Sequence, residues 1–271
     1  MTPNLADLTI IIRGAGDIAT GTAYRLHRSG FHRLVMTDVE APLAVRRLVS
    51  FAEAIHEGTW TVEGITAARI SQLREAFSLW DQAVIPVVAD PDNEATRIIK
   101  PDVLVDAILA KKNLGTAMSD APLVIGLGPG FSAGRDVHCV VETNRGHDLG
   151  RLILDGPASA DTGVPGDIRG HSARRVLRAP ADGVFESDLH IGTLVQEDQI
   201  VGSVAGNDVR AAIAGVLRGL IRHGTPVSMG LKIGDVDPRS DRAYCFTISD
   251  KARAIGGTVL EAILMRFNSP R

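Results

Sequence analysis

Two glycines, Gly14 and Gly16, stand between the β-branched run Leu8-Thr9-Ile10-Ile11-Ile12 and a helix-like pattern at Ile18, Ala19, Ala23 and Leu26. Strand, tight turn and helix in that order build a phosphate site. The first glycine lets the chain bend, and the second lets backbone amides approach a phosphate at the helix N-terminus. Ala19 fills the third fingerprint position, which admits alanine for close packing of helix on strand, and Asp17 opens the helix within the same candidate set. A second apolar run, residues 33–37, ends at Asp38, 22 residues beyond Gly16, about the spacing at which an acidic side chain meets a ribose hydroxyl. The chemistry implied is nucleotide binding; the competing reading is a bare structural turn in an α/β domain.

Three further groups stand where a ligand crevice would need them. Gly128 and Gly130 follow the strand-like run 123–127, making a second glycine-rich turn. Lys111, Lys112 and Asn113 follow another apolar run, 103–109, and read either as anion contacts or as a solvated turn. Asn144, Arg145 and His147 follow the run 137–142: an amide, an anion contact and a group titrating near neutrality, or else a polar loop with a chance histidine. His147 and Lys251 are the candidate proton donors if a reaction is catalysed. His138, Glu142 and His147 lack a metal-ligand spacing, so no metal is assigned. Cys139 and Cys245 form no Cys-x-x-Cys pair; Cys245 reads as a sulfur carrier or as a small buried hydrophobe.

The elements that would position these groups alternate along the first half of the chain. A helix is expected from Pro42 to Gly58, a strand at 59–62, a helix capped by Thr66 and carrying Ile70, Leu73 and Phe77, and a strand at 83–88. Pro86 argues against a central place for that last strand. The expected fold is α/β: a Rossmann-like, doubly wound parallel sheet over residues 1–154, then a linker at 155–175 rich in Gly, Pro and Ser. A smaller β domain over 176–240 and a C-terminal segment over 241–271 complete it. In that segment Ser249 caps a helix, and Gly256-Gly257 marks close packing against another backbone.

With 29 basic and 32 acidic residues among 271, the net charge of −3 offers no field for nucleic acid or an anionic membrane. An aromatic share of 4% also removes the stacking platforms of a single-strand binder. The residues from Met1 to Asp7 have no basic, apolar leader, and no run approaches the ~18 apolar residues of a membrane span. A soluble, cytoplasmic protein is expected.

Residues 178–204 repeat after 32 positions, with eight identities in 27, where ordinary usage gives roughly two. Gly183-Val184 matches Gly215-Val216, and Gly202 matches Gly234. The pattern resembles the lipoyl/biotinyl barrel-sandwich fold. Those carriers attach a cofactor to a lysine between the halves, and here the turn reads Ala205-Gly206-Asn207-Asp208. A swinging arm is therefore not expected.

Long words at 12–21, 41–47, 105–115, 124–131, 142–150, 230–239 and 247–257 make the chain similar, nearly end to end, to the YqeB-type family of selenium-dependent molybdenum hydroxylase system proteins. The resemblance implies an accessory protein for maturing molybdenum hydroxylases, with those subunits or their cofactor as partners; a homo-oligomer is also expected. The ligand implied is NAD(P) or the dinucleotide form of the molybdenum cofactor, with Gly14, Gly16 and Asp38 on one side and Gly128, Gly130, Lys111, Asn113 and Arg145 on the other. Two alternatives stay open: an NAD(P)-dependent oxidoreductase acting on a small molecule, and a docking protein whose nucleotide site is empty.

Overall fold

A computed structural model describes residues 4–164 and 166–268; Pro165, part of the expected linker, lies outside them, as do Met1 to Pro3 of the N-terminal reading. The chain divides into two compact units that exchange segments. Met1–Pro42, Ser50–Asp161 and Ile248–Arg271 form the first, and Leu43–Val49 with Thr162–Thr247 form the second.

In the first unit the opening apolar run becomes β1 (Ile10–Arg13), followed by α1 (Asp17–Arg28) and β2 (Leu34–Asp38). There follow α2 (Glu53–Glu57), β3 (Thr59–Val62), β4 (Ile65–Ile70), α3 (Ala76–Asp81), β5 (Ile85–Ala89) and α4 (Glu94–Ile99). Then come β6 (Val103–Asp106), β7 (Leu123–Leu127), β8 (Ser132–Ala133), β9 (Cys139–Val141), β10 (Leu152–Ile153) and β11 (Gly156–Pro157), with α5 (Asp250–Phe267) returning at the end of the chain. Nine strands form one sheet in the order β10-β9-β7-β6-β1-β2-β5-β4-β3. The register Val35–Ile11–Leu104–Val124 puts one apolar row across its middle, all of it buried in the same core. Each such fully buried side chain contributes roughly 1.5–3 kcal/mol.

The expected Rossmann-like, doubly wound parallel sheet gives way here to a large mixed sheet. Antiparallel pairs close both edges, β3 on β4 and β10 on β9. No α-helix is formed by residues 107–122 or 128–138, so β6, β7 and β9 follow one another without helical cover between them. The reason is local: Asn113 and Asp120 hold backbone amides of residues 115–117 in a loop, and the Gly128-Pro129-Gly130 turn sends the chain straight back.

Two expected helices form only in part. Of the one expected over 42–58 only α2 and a single turn at Arg47–Val49 form, because 43–49 belongs to the second unit, where Val45 and Leu48 pack on its core. The helix expected from Thr66 starts late: Ile65–Ile70 is β4, and helical turns begin only at Leu73–Glu75 and in α3, which carries Phe77. Glu63 and Gly64 both adopt positive φ and fold β3 and β4 into a hairpin, whose β-branched positions fit the pleat. Pro86 sits inside the sheet after all, since the β2 ladder begins one residue beyond it, at Val87.

The second unit holds β12 (Val176–Arg178), β13 (Gly183–Glu186), β14 (Leu194–Val195), β15 (Ile200–Val204), β16 (Asn207–Arg210), β17 (Gly215–Leu220), β18 (Thr225–Val227) and β19 (Lys232–Asp237). They make two separate four-stranded antiparallel sheets, β12-β19-β17-β14 and β16-β15-β13-β18. No ladder joins the two sheets among the described residues, so the expected barrel-sandwich module is replaced by this pair. Moving 32 positions along the chain carries β12 onto β16, β13 onto β17, β14 onto β18 and β15 onto β19, and so turns one sheet's strand order into the other's. The apolar core, with Leu177, Phe185, Val204, Leu217, Ile233 and Val236, is bordered by buried charge. Asp235 accepts from Arg175 and lies 3.1 Å from Arg218, which also reaches Asp237.

Candidate functional site

The turn after β1 is built around two different glycines. Gly14 has φ +94°, and a side chain there would press on the Ala107 carbonyl at 2.9 Å, so this position fixes the approach of two loops. Gly16 is the N-cap of α1 in an ordinary extended conformation, and a Cβ placed on it would meet nothing within 4 Å apart from its own chain neighbours. That open space lies where the α1 amides begin. Asp17, the first residue of the helix, is half-buried.

Asp38 does not stand clear to receive a ribose. Its carboxylate accepts the Ala15 amide at 2.8 Å and the Val39 amide at 2.8 Å, which locks the turn onto the end of β2. Burial raises its pKa, and those amides only partly offset it.

The other loops close on the same ends of the strands. A side chain on Gly130 would meet the Lys112 backbone at 2.8 Å, and one on Gly128 would meet the Thr143 side chain. Behind them Arg13 donates to Thr116, whose hydroxyl donates to Asp106 at 2.6 Å, all three buried. This polar anchor sets the loop after β6; its one mark in the sequence is an arginine immediately before Gly14. Asn113 is consumed within that loop, accepting from the Gly115 and Thr116 amides and donating to the Thr116 carbonyl.

Charge gathers on top. α1 and α5 run side by side in the same direction. Ala252 lies on Gly21, and a Cβ on Gly256 would stand 2.8 Å from the Gly21 carbonyl, so the helices touch backbone to backbone and both N-termini face one end. Close packing thus explains Gly256, while a side chain on Gly257 would meet nothing. Ser249 caps α5 by accepting the Ala252 amide. Half-buried Lys251, in the first turn of α5, has its pKa lowered by burial; Asp17 opposes this, Lys111 and Arg145 add to it, and Glu142 opposes it. The five side chains therefore share one electrostatic neighbourhood. Lys111 reaches Asp161 at 4.0 Å, and Arg145 holds Asp250 through two bonds of 2.7 Å.

Glu142, buried at the end of β9, accepts the amides of Asn144 and Ser159. Burial would raise its pKa, but these amides and that of Thr143 outweigh it and hold the carboxyl below its usual range. Asn144 and His147 are exposed on the loop that follows. Cys139 is buried, which pushes its thiol up to about 12, and burial likewise raises Cys245. The structure thus brings Gly14, Gly16, Asp17, Lys111, Gly128, Gly130, Arg145 and Lys251 to one end of the sheet, turns Asp38 and Asn113 to structural use, and leaves His147 at the surface. Sequence reasoning missed Asp250 and Asp161, the carboxylates that answer the cations, and passed over Glu142 as anything but a metal ligand.

No helix among the described residues is long and apolar enough to cross a membrane. No family model matches the chain. Among solved structures, TcdA (CsdL) is 14% identical with a TM-score of 0.37, covering 98% of this chain and 90% of that one. An aspartoacylase family protein from Mesorhizobium loti is 12% identical with a TM-score of 0.23, covering 63% of this chain and 51% of that one. Neither superposition is close enough to assign a shared fold. The uncharacterized protein YqeB of Escherichia coli (strain K12) is 49% identical over 256 residues, 94% of this chain and 47% of that protein, so the chain spans about half the length of this relative. On that identity, the chain belongs to the YqeB family.

Proposed function

We propose that this chain binds a phosphate-bearing ligand, a nucleotide, at the carboxyl ends of β1, β6, β7 and β9, and that it serves there as an accessory protein in the maturation of selenium-dependent molybdenum hydroxylases. One observation carries the binding half: two parallel helices present their N-termini at the same end, beside open space at Gly16 and three cations supplied by three different loops or helices. Each helix end is equivalent to roughly half a positive charge, and backbone amides that have no intrahelical partner point outward from it. Lys111, Arg145 and Lys251 stand at the same end, the first two on exposed carboxylates, Asp161 and Asp250, that a ligand phosphate can replace. The ligand is NAD(P) or the dinucleotide form of the molybdenum cofactor; both carry a diphosphate that this arrangement would neutralise. The pathway half rests on the family likeness.

The test is to purify the protein anaerobically from a host that makes the molybdenum cofactor, denature it, and identify the released small molecules by mass spectrometry. A dinucleotide recovered in stoichiometric amount supports the reading. Release of no phosphate-bearing compound, together with no binding of added nucleotides, overturns it.

A further inference from the structure

The ion pair between Arg145 and Asp250 has the geometry of a bound oxyanion. Arg145 Nη1 donates to Asp250 Oδ2 and Nη2 to Oδ1, both at 2.7 Å, so a planar guanidinium meets a planar two-oxygen acceptor edge to edge. The acceptor is a side chain of α5 that stays 72% exposed, while the Arg145 side chain is 29% exposed. The exposed Asp250 carboxylate can be taken up by water once it is displaced, which lowers the cost of giving up the pair. The pair also lies within the electrostatic neighbourhood of Lys251. An oxyanion bearing more charge than a carboxylate, placed on Arg145, would gain Lys251 and Lys111 as well. α5 would keep its cap meanwhile, because Ser249 and not Asp250 accepts the Ala252 amide.

We infer that the Asp250 carboxylate occupies, on Arg145, the place that a phosphoryl group of the ligand takes. Binding then exchanges an internal anion for an external one, and Asp250 sets how much negative charge a ligand must carry to enter. This rests on the anion-binding reading above and names the contact by which the site selects.

The experiment is calorimetric titration of the intact protein with pyrophosphate for wild type, Asp250→Asn, Arg145→Gln and the double variant. Removing the internal competitor is expected to tighten pyrophosphate binding about fivefold. In the Arg145→Gln background the same substitution is expected to change affinity by less than about twofold, because the competition needs its arginine. If wild type binds pyrophosphate but Asp250→Asn binds it no more tightly, or if the gain persists without Arg145, the inference fails while the anion-binding reading stands. If neither wild type nor Asp250→Asn binds, both fall. Thermal unfolding of each variant separates a loss of affinity from a loss of fold.

Discussion

Lys251 is the charged group of the candidate site whose proton affinity its surroundings reduce. Desolvation in the first turn of α5 lowers its pKa, and Lys111 and Arg145 add to the effect against the pull of Asp17 and Glu142. The folded protein therefore binds this proton less tightly than the unfolded chain, whose lysine titrates near about 10.4. Stability attributable to Lys251 must rise as pH climbs from the folded pKa to the unfolded one, with its cost fully present below that window. Chemical denaturation across pH 7–10.5 is expected to show wild type gaining on Lys251→Met as pH rises, and the variant is expected to bind pyrophosphate about fivefold more weakly. A stability difference that does not change with pH would contradict the assignment. At this scale the sequence was partly legible. Gly14, Gly16, Gly128 and Gly130 announce themselves by following strands, but the carboxylates that answer Lys111 and Arg145 lie 50 and 105 positions away, and no local spacing reveals them.

Among the elements, the α1–α5 contact decides where the site is. Gly21 and Gly256 let two backbones meet, and any larger residue at Gly256 must push the Gly21 carbonyl away. Gly256→Val is expected to cost about 1–3 kcal/mol in urea unfolding and to weaken anion binding, since it separates the two helix N-termini. Its neighbour provides the contrast: Gly257→Ala faces open space in mid-helix and should stabilise by up to about 1 kcal/mol. Equal effects at the two positions would remove the packing argument. The Ser249 cap, the strands at β1, β2, β3 and β7 and the role of Gly256 follow from local pattern. The β3–β4 hairpin did not, because Thr66 reads equally as a helix cap or a strand residue until the positive-φ turn at Glu63-Gly64 is seen. The short α2 was hidden for another reason: half of the segment that looked helical is claimed by the core of the other unit.

For the molecule as a whole, each unit has its own core, and the second encloses charge. Asp235, 1% exposed, serves both Arg175 and Arg218, which are themselves buried. Neutralising it leaves buried Arg175 without a carboxylate and Arg218 with Asp237 alone, so Asp235→Asn is expected to cost about 3 kcal/mol in the unfolding of the intact chain. A loss below about 1 kcal/mol would mean that water reaches the cluster. The division into units was only partly readable, because residues 43–49 and α5 return to units remote in sequence. The mixed sheet was not readable: β10, two residues long, leaves no periodicity to find at one edge, and at the other β4 reads as the start of a helix. Function at this scale depends on the claim that the carboxyl end of the large sheet takes a phosphate-bearing ligand. Calorimetric titration of ADP into wild type and Gly16→Val tests it most directly, because the added side chain enters open space and leaves the fold unstrained. Saturable binding to wild type, lost by at least about tenfold in a Gly16→Val protein of unchanged unfolding midpoint, is the predicted result. Equal affinity in the two proteins would contradict it.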